Sequence, residues 1–262
     1  MTAAGGAGLA IGGCVFQSAY RNPMASPNML GVTAGVNLGN ILMVILYREA
    51  AAVFIYERYK FCYAFTAACV VLVLLLGRAA GDKRKNISII EMIMAGSIIS
   101  QLINSFVTYF LYNMEEEALA VYEQIALGAV LAIDETSFLI FAGIMVVSIV
   151  PMVIFRYRMN VLSMEYDETK TLGIRAGLWR IIAQVCAVLM TTGAMVHLGQ
   201  VGMVSMVIPY VIRNWIGSDF RKLLTYSALT GAGLVMICQF ISCFIIIDGT
   251  VLPSTTLINV FT

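Results

Sequence analysis

The side chains that could carry out covalent chemistry are few and lie far apart in the sequence. His197 is the only histidine, and neither an acidic residue nor a nucleophile pattern adjoins it. The six cysteines lie in apolar stretches and form no C-x-x-C pair, which argues against a zinc site or a disulfide framework. The absence of a Gly-Lys dipeptide excludes a P-loop. We therefore expect no catalytic, cofactor-binding or metal-binding residues, and we interpret His197 as a polar residue at the membrane interface.

The glycine-rich start of the chain is a second feature that could bind a ligand. A dinucleotide-binding loop would need a third glycine where Ile11 stands, followed by a β-α-β pattern that is missing here. The glycines instead recur at intervals of three to four residues, at Gly5, Gly8, Gly12 and Gly13. Small residues on one helix face allow another helix to approach closely, so we predict helix packing here.

A row of polar side chains interrupts the otherwise apolar stretch 88–112. Its members are spaced by three or four residues and share one helix face: Ser97, Gln101, Asn104, Ser105 and Thr108. Polar groups are costly when they face lipid, so this face should meet other helices or a water-filled path. Hydrogen bonding between helices and lining of a pathway are both open alternatives.

The elements that hold these side chains follow from the composition. The 262 residues are 60% hydrophobic and 12% charged, with a mean hydropathy of +0.89, which excludes a water-soluble fold. A net charge of 16 − 15 = +1 leaves no basic field for nucleic acid. We predict an all-α polytopic membrane protein with a single transmembrane domain over residues 1–262. Eight apolar runs predict spans at 2–20, 29–47, 61–77, 88–112, 137–155, 178–197, 199–216 and 223–247, with a partial ninth from 251 to 262.

The arginines and lysines predict the orientation of these spans. If the spans alternate in direction, thirteen basic residues fall in one set of connections and three, Arg48, Arg58 and Lys60, in the other. Cytoplasmic connections carry the excess of positive charge. We therefore expect 83–85 and 156–175 to be cytoplasmic and the acidic residues between 115 and 135 to lie outside the cell.

The connection from about 156 to 178 is amphipathic. Leu162, Tyr166, Thr169 and Leu172 can lie on one side of a short helix, and Gly173 offers a helix stop. Such a segment is either a solvated loop or a docking element for a cytosolic partner, and the pattern favours docking.

The residues from Gly6 to Gly35 resemble the first signature of the permease subunits of ABC importers for iron-siderophores, haem and cobalamin. The matching residues are Gln17, Arg21, Asn22, Pro23, Ala25, Pro27, Leu30 and Gly31, with Met24 and Met29 in place of leucines. A second signature of that family is matched by Gly202, Val204, Pro209, Arg213, Gly217, Asp219 and Arg221, whereas Ser205, Tyr210 and Phe220 depart from it.

The cytoplasmic connection is similar to the coupling helices of the same family, which insert into the ATPase. The residues that the resemblance assigns to ATPase coupling are Asn160, Leu162, Asp167, Glu168, Leu172 and Gly173. Glu165 stands in place of a glycine and Thr169 in place of an alanine. For the stretch 88–112, the resemblance favours pathway lining by Ser97, Gln101, Asn104 and Thr108.

The resemblance implies a ten-helix permease subunit in the cell (plasma or inner) membrane that catalyses no covalent chemistry and holds no cofactor. Its implied partners are a cytosolic ABC ATPase dimer, an extracytoplasmic substrate-binding protein, membrane lipid and a second permease subunit, in a homodimer or a heterodimer. The substrate class it favours is a ferric chelate, with haem or cobalamin as alternatives. An ion-coupled secondary carrier is an alternative of another class, but it needs intramembrane acids and only Glu91 lies near a span interior.

Compared with the ten-helix family pattern, the chain lacks the first helix and most of the last. The span 2–20 starts outside without an earlier span to deliver it, and about 12 residues after 250 reach roughly 18 Å against a hydrocarbon core of about 30 Å. We therefore expect this sequence to be a truncated subunit that does not support transport as written.

Overall fold

The chain is a helical assembly in a computed structural model that describes residues 1–47, 54–80, 89–128, 135–162, 176–201, 203–247 and 250–262. The helices are α1 (Thr2–Tyr20), α2 (Val32–Leu46), α3 (Phe54–Ala80), α4 (Ile89–Tyr112), α5 (Glu116–Ala126), α6 (Glu135–Ile154), α7 (Arg156–Leu162), α8 (Ala176–Leu198), α9 (Val204–Ile216), α10 (Phe220–Ser242) and α11 (Ser254–Phe261). A 3-10 turn (Pro27–Leu30) precedes α2, and strands β1 (Ile246–Ile247) and β2 (Thr250–Val251) form an antiparallel hairpin before α11.

Five helices of the described residues are long and apolar enough to cross a membrane. Their candidate spans are Glu57–Ala79, Ile90–Tyr112, Glu135–Ile154, Gly177–Leu198 and Phe220–Ser242, and Val32–Leu46 is a shorter apolar helix. These five overlap five of the eight predicted runs. The number of eight spans plus a partial ninth stays a prediction.

Helix α1 lies in the centre of the bundle, packed against α8, α9 and α10. Its residues from Leu9 to Ala19 are all buried. A side chain on Gly6 would overlap the backbone carbonyl of Gly231 in α10, and one on Gly231 would lie 2.7 Å from the Cβ of Ala10. Small residues of α1 thus allow another helix to approach closely, as we predicted from the glycine spacing.

The long helices around α1 differ in how much of their apolar surface is covered. In the candidate spans of α3, α4, α6 and α10, 28% of the most apolar window is buried, against 78% for α8. Exposed apolar side chains therefore line the outside of the bundle, among them Leu72, Leu102, Val147 and Leu229. This arrangement gives the bundle an apolar perimeter, as a bilayer requires.

Several predicted boundaries differ from the structure. Helix α3 begins at Phe54 and not at 61, because Arg58 in its charged first turns is bonded to α2 and α5, at 3.0 Å to Asn40 Oδ1 and 3.2 Å to the Ile125 carbonyl. The stretch 199–216 becomes helical only at Val204, and the predicted span 223–247 ends at Ser242, before the hairpin. The predicted partial ninth span contains β2 and the short helix α11.

Helix α5 occupies the acidic stretch that we had predicted only as an outer connection. Its first turn carries Glu116 and Glu117, where negative charge favours a helix N-terminus. The carbonyls of its last turn are bonded by three other segments of the chain. Arg58 Nη2 donates to the Ile125 carbonyl at 3.2 Å. The backbone amide of residue 200 donates to the carbonyl of residue 126 at 3.0 Å, and Thr255 Oγ1 donates to the carbonyl of residue 127 at 2.8 Å. These bonds fasten the end of α5 to α3, to the connection after α8 and to α11.

Candidate functional site

The two signature regions meet where α1 crosses α9. Pro209 has no amide proton, so the carbonyl of Ser205 loses its helical partner. That carbonyl packs so closely on Gly13 that a side chain there would overlap it. The next carbonyl of α9, that of Met206, accepts a hydrogen bond from Gln17 Nε2 of α1 at 3.0 Å. A glycine and a glutamine of α1 thus form one packed crossing with a proline that lies nearly 200 residues further along the sequence.

A tight turn follows α1 and contains most of the first signature. Arg21 ends the helix in a left-handed conformation (φ 52°), and Asn22 Oδ1 accepts the amide two residues further on at 2.8 Å. Pro23 lies inside this turn, Pro27 begins the 3-10 turn, and Gly31, at φ 75°, links it to α2. The positive φ explains the glycine, because other residues adopt this conformation at a cost. These residues redirect the chain from α1 into α2.

Residues of the second signature also shape the end of α9. Gly217 terminates the helix at φ 91°, and its amide donates to the Arg213 carbonyl at 2.9 Å. The Nε and Nη2 atoms of Arg213 are buried and have no hydrogen-bond partner among the described residues. Gly202 lies outside the described residues.

Asn160 and Asp219 form a joint between α7 and the start of α10. Asn160 Nδ2 donates to Asp219 Oδ1 at 2.9 Å, and the backbone amide of Phe220 donates to Asn160 Oδ1 at 2.7 Å. Asp219 is the N-cap of α10 and also accepts the amide of Arg221 at 3.1 Å. The side chain from α7 thus helps to satisfy amide groups that a helix N-terminus leaves open.

Charged and aromatic groups surround the joint between Asn160 and Asp219. The Arg221 guanidinium contacts Asp219 through Nε (3.3 Å) and Nη2 (3.1 Å), and its Cζ lies 5.0 Å from the ring centroid of Tyr157. Hydrogen bonds from the Arg221 side chain, then from Asn160, and from the Arg221 amide hold the pKa of Asp219 well below its usual value. The neighbouring Arg221 and Arg156 guanidinium groups lower the pKa of Tyr157. The carboxylate is therefore ionised throughout the neutral range.

An aromatic and cationic stack joins the corner between α6 and α7 to α8. The rings of Phe155 and Trp179 have centroids 4.4 Å apart, and the Cζ of Arg158 lies 4.6 Å from the Trp179 ring and 5.2 Å from that of Phe155. Met159, the next residue, is fully buried. This stack was not predicted from the sequence, although an aromatic residue and arginines at a predicted span end were a usable signal.

The residues that the resemblance assigned to ATPase coupling are only partly described. Asn160 lies in α7 and Leu162 is its last residue. Asp167, Glu168, Leu172 and Gly173 lie outside the described residues, as do Tyr166 and Thr169 and the basic segment 83–85.

The polar row of α4 lies on the exposed surface of the subunit. Ser97, Gln101, Asn104 and Thr108 are all exposed. Ser105 Oγ donates to the carbonyl of residue 101 at 2.9 Å, and Thr108 Oγ1 donates to that of residue 104 at 2.8 Å, so both hydroxyls bond within their own helix. In the described residues, the side chains of Gln101 and Asn104 make no bond to another helix. The structure therefore does not use this face for packing inside the chain.

His197 lies next to the end of the candidate span Gly177–Leu198, and its side chain is buried between helices. It is 7% exposed, its Nε2 is hydrogen-bonded to the Tyr59 hydroxyl, and its ring meets that of Phe141 edge to face with centroids 4.6 Å apart. A buried aromatic neighbourhood with a hydroxyl partner explains why a histidine is tolerated there. Within the described ranges, no three histidine, cysteine or acidic side chains are close enough to hold a metal ion.

Comparison with known proteins gives consistent results. The pattern of the FecCD transport family matches residues 1–262. An ABC transporter permease protein of Methanocaldococcus jannaschii is 30% identical over 242 residues, covering 89% of this chain and 68% of its own length. An iron chelatin transport system permease protein of Helicobacter pylori is 26% identical over 241 residues, covering 90% of this chain and 69% of its own length.

The fold also matches a solved structure. An ABC transporter of metal-chelate type, captured in an inward-facing conformation, superposes with a TM-score of 0.86 at 23% identity, over 99% of this chain and 80% of its own. At this identity the similarity establishes the shared fold.

Proposed function

Because the chain belongs to the FecCD transport family, we propose that it forms the translocation pathway of an ATP-driven importer for ferric chelates. The family consists of ABC importer permeases, which are multi-pass membrane subunits, and ATP hydrolysis belongs to separate ATPase subunits. The five apolar helices agree with such a subunit. This family does not consist of ion-coupled secondary carriers.

The proposed partners follow from that role. A cytosolic ATPase dimer supplies the free energy, an extracytoplasmic binding protein delivers the substrate, and a second permease subunit, identical or related, completes the pathway. The connection from about 156 to 178 contacts the ATPase, with Leu162 and Leu172 on its apolar side and Gly173 at its end. The predicted cytoplasmic orientation of that connection supports this assignment.

The observation that carries the proposal is the exposed polar face of α4. A membrane-length helix with Gln101 and Asn104 open on its surface would be expensive to place against lipid, because lipid tails offer no hydrogen bonds. In an assembly of two subunits, the same face can line a hydrated route between them. The exposed apolar residues Ile98, Leu102 and Phe106 lie on the adjoining side of the helix, as the 100° rotation per residue requires.

The proposal also assigns a substrate class, a ferric chelate. The name of the Helicobacter pylori relative supports a ferric chelate. The polar face offers hydroxyls and amides without charge, which suits weak contacts with a bulky chelate during passage. Haem and cobalamin are the alternatives to be separated by experiment.

Cysteine substitution along α4 tests the pathway. In the assembled transporter, single cysteines at Ser97, Gln101 and Asn104 should react with a membrane-impermeant thiol reagent and lose uptake after reaction. Matched cysteines at Ile98 and Leu102 should react only with a lipid-soluble reagent and keep uptake. The exposed native Cys243 is first replaced by serine, so that the background reaction is low. Equal reaction at the polar and apolar positions would contradict pathway lining.

Uptake of radiolabelled iron by the full-length permease, assembled with its partners, decides the substrate class. We expect ATP-dependent uptake of a ferric chelate that excess haem or cobalamin does not reduce. Transport of cobalamin with no transport of ferric chelates would overturn the substrate assignment and leave the permease function in place.

A further inference from the structure

We infer that Asn160 is a positioning residue that joins the coupling segment to α10, and not a residue that contacts the ATPase. This inference rests on the proposed function, because it assigns one residue of the coupling segment to a step inside the permease. It differs from the assignment by resemblance, which placed Asn160 among the ATPase contacts.

The geometry of the side-chain amide supports this role. Its nitrogen donates to Asp219 Oδ1 at 2.9 Å, and its oxygen accepts the Phe220 amide at 2.7 Å. Both ends of the amide are therefore engaged by α10 of the same chain. The preceding residue, Met159, is fully buried, which fixes the side of α7 that faces the bundle. A side chain held in this way positions α7 on the first turn of α10.

Helix α10 can transmit movement of α7 towards the centre of the bundle. Phe220 and Leu223, in its first turn, are fully buried, so the end that receives Asn160 is anchored in the core. Further along, Gly231 meets Gly6 of α1 in backbone contact, and α1 and α10 pack along their lengths. A shift of α7 must therefore move α10, and α1 with it, because interlocked backbones do not deform independently.

The joint requires one neutral and one ionised partner. Asp219 is a carboxylate that accepts from Arg221 and from the Asn160 amide. An aspartate at position 160 would keep an acceptor for the Phe220 amide but would place two carboxylates at hydrogen-bonding distance, where like charges repel. Exchanging the two residue types restores a donor and an acceptor across the joint. The pair can therefore be tested by a swap.

The experiment uses the full-length permease, assembled with its ATPase and binding protein into a transporter that supports uptake. Four versions are compared, namely the unmodified chain, Asn160→Asp, Asp219→Asn, and the double variant that carries both changes. Three quantities are measured, namely the amount of ATPase that copurifies, ATP hydrolysis with and without loaded binding protein, and substrate uptake. Asn214→Asp is the matched control, because Asn214 is exposed near the same end and its substitution adds the same charge.

We expect Asn160→Asp to copurify with a normal amount of ATPase and to keep basal hydrolysis. Its uptake per ATP hydrolysed should fall by about tenfold, in line with the loss of a charge-assisted hydrogen bond. The double variant should recover most of this ratio, and Asn214→Asp should leave it unchanged. A residue that only stabilises the fold would reduce yield and hydrolysis together and would not change the ratio.

Two outcomes would overturn the inference. Loss of ATPase from the purified Asn160→Asp complex, unrepaired in the double variant, would make Asn160 an ATPase contact. Normal uptake per ATP in Asn160→Asp would show that the joint is not needed. A failure of the proposed function is distinct, because then the unmodified full-length permease would neither bind an ATPase nor support uptake.

Discussion

The backbone contact between α1 and α10 gives a quantitative prediction for two glycines on the same helix. A Cβ at Gly231 would lie 2.5 Å from the Gly6 carbonyl oxygen and 2.7 Å from the Cβ of Ala10, so a backbone would have to move. A Cβ at Gly233 would meet no atom within 4 Å. The variants Gly231→Ala and Gly233→Ala therefore differ only in whether the added methyl group has space.

The expected free energies can be worked out from two effects. Replacing glycine by alanine inside a helix stabilises it by about 1 kcal/mol in both variants. Overpacking against a backbone costs about 1–3 kcal/mol, and only Gly231→Ala incurs it. Helix propensity cancels in the comparison, so we expect Gly231→Ala to be less stable than Gly233→Ala by about 1–3 kcal/mol.

Thermal unfolding of the detergent-solubilised protein measures this difference. For a chain of this size, about 1 kcal/mol corresponds to roughly 2–4 °C, so the two midpoints should lie roughly 2–12 °C apart. Because large membrane proteins often unfold irreversibly, both variants must be heated at the same rate. Equal midpoints, or a higher midpoint for Gly231→Ala, would refute the close contact between α1 and α10.

Two further predictions concern polar contacts. Gln17→Leu removes the donor to the Met206 carbonyl and should destabilise the protein by about 1–2 kcal/mol, measured by denaturation in detergent, whereas an unchanged midpoint would argue against the crossing. The pKa of Asp219 is depressed from its usual 3.8, so the stability from its hydrogen bonds is present above about pH 4 and is lost as the pH falls through the folded-state pKa. The stability difference between the unmodified chain and Asp219→Asn should therefore be constant from about pH 6 to 8 and shrink only below about pH 4, and a change in the neutral range would contradict the assignment.

The apolar helices could be predicted from sequence because hydropathy acts locally. Helices α4, α6 and α8 begin and end within about two residues of the predicted runs, since a helix that crosses the membrane must be predominantly apolar along about 20 residues. The glycine face of α1 was also predictable, because small residues at helical spacing have a direct packing consequence.

The elements that were missed depend on contacts between distant residues. The first turns of α3 contain Glu57, Arg58 and Lys60, which read as a connection, but Arg58 is tied to Asn40 Oδ1 at 3.0 Å and to α5. The acidic helix α5 lacks the apolar length of a span, so hydropathy could not reveal it. For the joint, the resemblance supplied both Asn160 and Asp219, but nothing in their spacing of 59 residues predicted a hydrogen bond.

The fastening of α5 has a consequence for the order in which the protein assembles. The carbonyls at its end bond to Arg58, which is synthesised earlier, and to Thr255, which follows 128 residues later. A chain made from its N-terminus can therefore form the first of these bonds long before the second. Until Thr255 has been synthesised, water at the predicted outer surface must satisfy the carbonyl of residue 127. The last bond at the end of α5 therefore forms only after the segment that contains Thr255 has been synthesised and packed against it.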